Sequence, residues 1–253
     1  MQINGLRAMI VGGASGMARA TAERIANGGG KVAILDRAGS AGADVAKELG
    51  GAYFETNILD FEGTEGVIAD AVAWLGGLDA VVTTAGGGTG KRTLTKDGPH
   101  PLDEFRAVVD LNLTATFNIN RLAAWHMSKN EPNEDEERGV IINTASIAAF
   151  EGQIGQIAYT ASKAGVAGMC LTMARDLGSF GIRVNAIAPS LFDTGATAGI
   201  PSEFSAMLVK DAAFPKRMGK PDEYGRLAVA IIENPMLNGS CIRLDAGQRF
   251  APK

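Results

Sequence analysis

The chain carries a tyrosine and a lysine at a spacing that suits proton transfer. They are Tyr159 and Lys163, in the segment AYTASKA at residues 158–164. On a helix, side chains four positions apart lie on one face, so the ammonium can act on the phenol. A phenolate near pH 7 needs about 4 kcal/mol, of which a charge about 4–5 Å away supplies some 3–4 kcal/mol before desolvation. The pair therefore predicts a tyrosine that acts as general acid and base beside a cation.

Two further polar side chains are candidates for the same site. Ser146 ends the apolar segment GVIINTAS, and Asn112 lies in DLNLTATFN within a predicted helix. A serine hydroxyl there can donate a hydrogen bond to a substrate oxygen as charge develops on it. Asn112 can position a water or a backbone group in a proton relay. Taken singly, each residue has an ordinary structural interpretation, but together they predict a catalytic set of Asn112, Ser146, Tyr159 and Lys163 that needs no metal.

A glycine-rich turn follows the first apolar segment. Residues 11–20 read VGGASGMARA, so Gly12, Gly16 and Ala18 open a predicted helix directly after a predicted strand. Glycines there let the chain turn sharply and let a pyrophosphate approach the N–H groups and the positive end of the helix dipole. The order of strand, glycines, helix, strand and acid is typical of dinucleotide binding.

The acid that completes this pattern is Asp36, at the end of the second predicted strand and twenty residues after Gly16. Its carboxylate can accept hydrogen bonds from both hydroxyls of an adenosine ribose. It would repel a 2′-phosphate, which predicts NAD rather than NADP, whereas the neighbouring Arg37 leaves NADP open.

Polar and small residues also end the third and fourth predicted strands. Asn57 and Ile58 follow the third, and TTAGG at residues 83–87 ends the fourth with Ala85 and Gly86. Open α/β sheets bind ligands at the carboxyl ends of their parallel strands. We therefore expect Asn57 to hold the adenine amino group and the backbone at Ala85 and Gly86 to approach the cofactor closely.

The elements that position these residues predict a doubly wound α/β fold. Apolar segments rich in β-branched residues alternate with segments that have the 3.6-residue rhythm of amphipathic helices. Because the strands are continuously apolar, we expect a parallel sheet with helices on both faces, in a single Rossmann domain over residues 1–253. The predicted strands are 7–11, 31–35, 52–56, 78–84, 139–146, 182–189 and 241–245. The predicted helices are 16–28, 60–75, 102–129, 155–178 and 221–233, and the predicted loops are 86–101 and 130–139.

Composition narrows the functional classes. The 253 residues, 46% apolar with a net charge of −4, suffice for one large domain and give no footprint for nucleic acid. Cys170 and Cys241 lie far apart in sequence without metal-ligand spacing, which argues against a structural metal or a disulfide scaffold and favours a reducing compartment. No uncharged apolar run approaches the roughly 18 residues of a membrane span. We expect a cytoplasmic protein that binds a small-molecule substrate, with no membrane partner.

These features resemble those of the short-chain dehydrogenase/reductase family. The resemblance covers the whole chain and rests on the glycine turn, the four candidate catalytic residues and the segment NAIAPS at 185–190. It implies a seven-stranded parallel sheet in the order 3-2-1-4-5-6-7 and a homotetramer. It also implies that Ile187 lies beside the nicotinamide carboxamide. The cofactor-binding residues expected in all are Gly12, Ser15, Gly16, Met17, Asp36, Asn57, Ile58, Ala85, Gly86, Tyr159, Lys163, Pro189, Leu191 and Thr194.

Longer segments resemble one subgroup of that family, the type II 3-hydroxyacyl-CoA dehydrogenases. They are ASIAAFEGQIGQIAYTASKAGVAGM, FPKRMGKPDEYGRLAVAIIENPMLNGSCIRLD and TGKRTLTKDGPHPLDEF. The resemblance implies NAD-linked interconversion of an L-3-hydroxyacyl-CoA and a 3-oxoacyl-CoA. In the third segment, Lys91 and Arg92 can meet the phosphates of CoA or simply face solvent. A dehydrogenase of a steroid or another secondary alcohol needs the same four residues, and a non-catalytic dinucleotide-binding protein is the weaker alternative.

Three positions depart from the family pattern. Thr84 and Asn57 stand where the family has Asn and Asp, and Ser190 replaces a glycine. The first two alter cofactor contacts without removing them, and the third changes a residue of a turn. The segment 191–220 lies where a mobile lid would cover the substrate, but its apolar residues can equally pack as core.

Overall fold

A computed structural model describes residues 1–88, 90–195 and 208–251 of the chain. Within this described part, seven strands form one parallel sheet in the order β3-β2-β1-β4-β7-β8-β9. Counted along this sheet alone, the order is 3-2-1-4-5-6-7, so the predicted fold is confirmed. The strands are β1 (Arg7–Val11), β2 (Lys31–Asp36), β3 (Ala52–Glu55), β4 (Ala80–Thr83), β5 (Leu94–Thr95), β6 (Gly98–Pro99), β7 (Gly139–Thr144), β8 (Ile182–Pro189) and β9 (Cys241–Leu244).

Helices flank the sheet close to the predicted positions, with two differences. The helix predicted over 102–129 is divided by one π turn, Asp110–Thr114. The helix α2 was not predicted, because its two turns are too short to show a recurrent apolar spacing. The helices of the described residues are α1 (Gly16–Asn27), α2 (Gly42–Glu48), α3 (Gly63–Leu75), α4 (Leu102–Val109), α5 (Ala115–Met127), α6 (Ile157–Leu177) and α7 (Pro221–Glu233).

The sheet is buried on both faces because its strands are continuously apolar. Ile10, Ile34 and Val82 pack with α1 and α7 in one core, whereas Val81 and Ile141 pack with α3, α5 and α6 in the other. These five side chains are fully buried, and each contributes roughly 1.5–3 kcal/mol by leaving water. The two cores hold the carboxyl ends of the central strands together at one edge of the sheet.

Both predicted loops contain more order than expected. In 86–101, β5 and β6 pair as a short antiparallel hairpin. In 130–139, Glu137 is 5% exposed rather than solvated, and it pairs with Arg183 at 2.6 Å. Because Arg183 enters the interior from β8, its charge needs this carboxylate.

The remaining expectations concern the cysteines, metals and the lid. The two cysteines are free, but they share one small apolar cluster beside β8 and β9, a proximity that their sequence separation did not indicate.

In the part of the chain that the structure describes, no group of three or more His, Cys, Asp or Glu side chains is placed to hold a metal. Nor is any helix there long and apolar enough to cross a bilayer. Of the predicted lid at 191–220, residues 196–207 lie outside the described residues.

Candidate active site

A cleft of about 920 Å³ opens at the carboxyl ends of the central strands. All fourteen residues expected to bind a cofactor line it, including four from residues 11–20 around the glycine turn and three from the end of β8 and the stretch after it. The fourteen include Tyr159 and Lys163 of the catalytic set, and Ser146 lines the cleft as well, whereas Asn112 lies behind the wall. Their tasks in binding and catalysis remain predictions. The side chain of Ile187 is fully buried in the core between β7 and β9, and its expected place beside the nicotinamide carboxamide stays a prediction.

The glycine turn brings the chain close to the end of β4. Gly12 has φ of +83°, and a Cβ there would lie 2.9 Å from the backbone nitrogen of Ala85. Gly16 has φ of +55°, and a Cβ there would lie 3.2 Å from the methyl group of Thr194. The Ser15 side chain does not cap α1, and the first turn of this helix has no acid. The first N–H groups of α1 are therefore available to an anion in the cleft.

Asp36 ends β2 with its carboxylate fixed against the glycine turn. Its Oδ2 accepts from the Ala14 N–H at 2.9 Å, and its Oδ1 accepts from the Arg37 N–H at 2.8 Å. Each oxygen keeps a second lone pair for a ligand hydroxyl. The geometry therefore suits a ribose with both hydroxyls free, next to an anion at the start of α1.

The side chains of Ser146 and Tyr159 line the same cleft, where the Ser146 hydroxyl acts to lower the pKa of the phenol. Ser146 follows β7 and starts a single 3-10 turn, where its hydroxyl accepts from the Ala148 N–H at 3.1 Å. Burial raises the pKa of the Tyr159 phenol above its ordinary value, and the Ser146 hydroxyl opposes this only in part. In the protein alone, the phenol is therefore a proton donor at neutral pH.

Lys163 lies one helical turn from Tyr159 on α6, and its Nζ is 5.7 Å from the centroid of the phenol ring. Nζ donates to the carbonyl oxygen of Thr144 at 2.7 Å, and the residue is 4% exposed. Burial lowers the pKa of Lys163 to about 8. The sequence correctly placed the two side chains on one face. In the protein alone the pKa of Tyr159 is raised rather than lowered, because burial of the phenol is the largest influence on it.

The π turn presents Asn112 to the backbone of Gly87. Oδ1 accepts from the Gly87 N–H at 3.0 Å, while Nδ2 donates to the Gly87 carbonyl at 2.6 Å and to the Val108 carbonyl at 2.8 Å. A Cβ on Gly86 would lie 2.6 Å from the same Oδ1, so this contact needs a glycine. Of the two tasks expected for Asn112, these bonds favour positioning a backbone group over positioning a water. Single π turns are frequent at functional sites.

Comparison with known proteins decides the family. The family model described as short chain dehydrogenase matches residues 7–204. The chain belongs to the short-chain dehydrogenase family. It is therefore an oxidoreductase, and a nicotinamide dinucleotide is its cofactor. The described residues fit that group, because the glycine turn leaves room for a pyrophosphate at α1 and Asp36 has free lone pairs for a ribose.

Relatives match this dehydrogenase over almost its full length. 3-Hydroxyacyl-CoA dehydrogenase type-2 of Drosophila melanogaster is 46% identical over 248 residues, which cover 96% of this chain and 97% of that protein. The Homo sapiens protein of the same name is 45% identical, with 99% and 97% covered. The crystal structure of 3-hydroxyacyl-CoA dehydrogenase type-2 from Mycobacterium avium superposes with a TM-score of 0.94 at 41% identity, covering 98% of each chain.

The three departures from the family pattern keep local backbone contacts. The Thr84 hydroxyl lies beside Gly12, 3.0 Å from where a Cβ would stand. Asn57 Oδ1 accepts from the Leu59 N–H at 3.2 Å, which folds its side chain into a turn. The Ser190 N–H donates to the Leu244 carbonyl at 3.2 Å and continues the pairing of β8 with β9.

Sequence reasoning missed several residues of the cleft. Thr144 carries the carbonyl that holds Lys163, and its hydroxyl donates to the Thr83 carbonyl at 2.7 Å. Leu111 and Thr56 also line the cleft. Thr144 and Thr56 could have been found from their positions, because Thr144 is the last residue of β7 and Thr56 directly follows β3. Leu111 gave no such signal, because it reaches the cleft only through the π turn.

Proposed function

We propose that this dehydrogenase interconverts an L-3-hydroxyacyl-CoA and a 3-oxoacyl-CoA, with NAD as its dinucleotide. The observation that carries the proposal is that Ser146, Tyr159 and Lys163 line one cleft with Asp36, with the Lys163 Nζ 5.7 Å from the centroid of the Tyr159 ring. Near full-length similarity to proteins named 3-hydroxyacyl-CoA dehydrogenase type-2, at 43–46% identity, supports the substrate class.

The catalytic side chains divide the proton chemistry between them. When bound, the nicotinamide supplies or accepts a hydride and, in its oxidised form, brings a positive charge. Tyr159 donates a proton to the substrate oxygen in the reductive direction, and its raised pKa keeps the phenol protonated at neutral pH. Ser146 donates a hydrogen bond to the same oxygen as negative charge develops there. In the oxidative direction Tyr159 accepts the proton, and its pKa must then fall.

Lys163 and Asn112 prepare the site. Lys163 keeps a positive charge at the base of the cleft, and one of its three N–H groups is held by the Thr144 carbonyl. The other two meet no acceptor among the described residues and can donate to hydroxyls of the nicotinamide ribose. Asn112 fixes the Gly87 backbone through two hydrogen bonds, which keeps the chain after β4 close to the cofactor.

The preference for NAD over NADP rests on Asp36. Its carboxylate faces the cleft and is held by two backbone N–H groups, so it cannot readily turn away from a 2′-phosphate. A phosphate there would meet a negative charge at short range. Arg37 also lines the cleft and would weaken this repulsion.

A second cavity supports the CoA part of the proposal. It has a volume of about 510 Å³, lies beside the start of α6, and is lined by Arg92, Leu94 and Ile154 among others. Lys91 pairs with Glu104 at 2.7 Å. Arg92 is exposed and forms no ion pair with another described residue. Of the two basic residues, Arg92 is therefore the better placed for a phosphate of CoA.

A steroid or another secondary alcohol is the competing substrate class. A structure of 7α-hydroxysteroid dehydrogenase complexed with NADH and 7-oxo glycochenodeoxycholic acid superposes with a TM-score of 0.87 at 28% identity, covering 100% of this chain and 97% of that one. The same four catalytic residues would serve such a substrate. The higher identity to the acyl-CoA enzymes favours the first proposal. The complete catalytic set argues against a non-catalytic binding protein.

A homotetramer in the cytoplasm completes the proposal. Large apolar side chains stand exposed on the helices that follow β4 and β7, namely Leu102, Phe117, Trp125 and Leu171. Apolar faces of this kind are commonly covered by another subunit. Two free cysteines favour a reducing compartment. Light scattering tests the assembly, and a monomer would contradict it.

A substrate panel tests the activity. Purified enzyme is assayed with acetoacetyl-CoA and with steroid ketones, each with NADH and with NADPH. The proposal predicts the highest kcat/KM for acetoacetyl-CoA with NADH. Faster reduction of a steroid ketone would favour the competing class. Faster reaction with NADPH would overturn the assignment of NAD alone.

A further inference from the structure

The guanidinium of Arg243 joins two segments that are distant in sequence. Arg243 lies in β9, and its Nε donates to Asp245 Oδ2 at 2.6 Å. Its Nη1 and Nη2 donate to the two carboxylate oxygens of Glu151 at 2.9 and 3.0 Å, a bidentate pair. Nη2 also donates to the Gln248 carbonyl at 3.0 Å. The side chains of Arg243 and Glu151 are only 22% and 24% exposed, so this pair is less screened than a surface ion pair.

The C-terminal segment, residues 245–251, extends the connection. The Gln248 side chain donates to the Leu208 carbonyl at 2.8 Å, and the Ala246 carbonyl accepts from the Ala213 N–H at 2.9 Å. On the other side, Gln153 Nε2 donates to the Ala251 carbonyl at 3.2 Å. The segment therefore contacts both the loop that contains Glu151 and the stretch 208–214.

The loop that contains Glu151, residues 150–156, borders the second cavity and lies between Ser146 and Tyr159 in the sequence. It begins four residues after Ser146 and ends three residues before Tyr159, so it connects the segments that carry these two side chains. Four of its residues line the second cavity. A shift of this loop would therefore change the wall of that cavity and the approach to the phenol.

The strand itself does not need Arg243. β9 is held to β8 by a parallel ladder from Ala186 with Cys241 to Pro189 with Leu244. Among the described residues, the hydrogen bonds and ion pairs of the Arg243 side chain go to Glu151 in the 150–156 loop and to Asp245 and Gln248 in the C-terminal segment. Its ion pairs thus serve the placement of these two segments rather than the sheet.

We propose that Arg243 and Glu151 are positioning residues for the substrate: their ion pair holds the 150–156 loop against the C-terminal segment as one wall of the substrate-binding region. The inference rests on the proposed function for the nature of the substrate. Neither side chain lines the cleft that fits the dinucleotide. Loss of the pair should therefore weaken substrate binding and leave cofactor binding unchanged.

Steady-state kinetics with acetoacetyl-CoA and NADH test the inference. Arg243→Met should raise KM about tenfold with kcat changed less than about threefold, and the Kd for NADH should stay within about twofold. Arg243→Lys, which keeps the charge but not the bidentate geometry, should recover part of KM. Arg24→Met is the matched control, because Arg24 forms an exposed ion pair with Asp222 on α7, away from both cavities. It should change none of these values.

Hydrogen–deuterium exchange gives a readout that does not depend on the substrate. Amides of the 150–156 loop should exchange at least about fivefold faster in Arg243→Met and in Glu151→Gln than in the wild type or Arg24→Met. If Arg243→Met fails to fold, Glu151→Gln alone decides. Unchanged loop exchange and unchanged KM overturn the inference, as does a rise in the Kd for NADH that parallels KM. If the wild-type enzyme is inactive on acetoacetyl-CoA, the proposed function is overturned instead. Hydrogen–deuterium exchange of the 150–156 loop then tests only whether the ion pair holds the loop in place.

Discussion

The ammonium of Lys163 donates to the carbonyl oxygen of Thr144 at 2.7 Å, while the centroid of the Tyr159 ring lies 5.7 Å away. Thr144 is the last residue of β7, so a central strand of the sheet fixes the cation. Its position therefore does not depend on the charge of the phenol. Tyr159 can gain or lose a proton while Lys163 keeps its own hydrogen bond, which suits a group that must act in both directions.

Burial of Lys163 predicts a pH dependence of stability for the cofactor-free protein. Its pKa is lowered from 10.5 to about 8, so between about pH 8 and 10.5 the unfolded chain binds more protons at this residue than the folded chain. The contribution of Lys163 to the free energy of unfolding is thus least favourable below about pH 8. It becomes more favourable as the pH rises through this window, by at most about 3 kcal/mol.

Urea denaturation of the wild type and of Lys163→Met from pH 7 to 10 measures this contribution. The variant keeps an apolar stem of similar length but cannot titrate, so the other ionisable groups cancel in the difference. The wild type should gain stability relative to the variant as the pH rises. A difference that stays constant would mean that the folded protein leaves Lys163 at its ordinary pKa.

Replacing Tyr159 with Phe should lower kcat for acetoacetyl-CoA reduction by about 10³-fold, within the range that general acid–base catalysis supplies. The variant loses the only proton donor that the mechanism places at the substrate oxygen. The Kd for NADH, measured by fluorescence titration, should change less than about threefold. Normal turnover by Tyr159→Phe would exclude the assigned mechanism. Ser146→Ala is the companion variant, with an expected loss of about 10²–10³-fold because one donor to the oxygen is removed.

Much of this fold could be predicted because its signals are local. The continuously apolar segments identified the sheet strands, as with Ile182–Pro189, whose bounds match the prediction. The four-residue spacing of Tyr159 and Lys163 correctly placed both on one face of α6. These features depend on backbone periodicity, which neighbouring residues in the sequence determine. The short helix Gly42–Glu48 was not predicted, because two turns give too little periodicity to identify a helix.

The remaining features depend on contacts between distant residues. The amide of Asn112 holds Gly87 from 25 residues away, and only because a π turn shifts its register on the helix. Glu151 and Arg243 are 92 residues apart, and nothing in either neighbourhood identifies the partner. The raised pKa of Tyr159 likewise follows from burial by the whole fold, whereas the sequence indicated only the nearby cation.

Asp36→Asn should reduce the preference for NADH over NADPH. The amide keeps one acceptor for the Ala14 N–H, but the negative charge that repels a 2′-phosphate is lost. Hydrogen bonds to a charged group contribute about 1.5–3 kcal/mol, so the Kd for NADH should rise about tenfold or more. Fluorescence titration with both dinucleotides checks this, with Asp70→Asn on the exposed face of α3 as control. An unchanged ratio of the two Kd values would show that Asp36 does not select the dinucleotide.

Two threonines at the ends of neighbouring strands offer a matched pair for stability. The hydroxyl of Thr83 is buried without a hydrogen-bond partner among the described residues. The hydroxyl of Thr144 donates to the Thr83 carbonyl and shares a hydrogen bond with the Tyr224 hydroxyl, each at 2.7 Å. Valine has the shape of threonine and is equally β-branched, so each substitution removes a hydroxyl with little change in packing.

Thr83→Val should leave the free energy of unfolding unchanged or raise it by up to about 1 kcal/mol, because a buried hydroxyl without a partner costs free energy. Thr144→Val should lower it by about 1–3 kcal/mol, because the fully buried Tyr224 hydroxyl loses its partner. Urea denaturation at pH 7 measures both. If Thr83→Val instead costs more than about 1 kcal/mol, the Thr83 hydroxyl has a partner after all, and a buried water between β4 and the helices above it would be the first candidate.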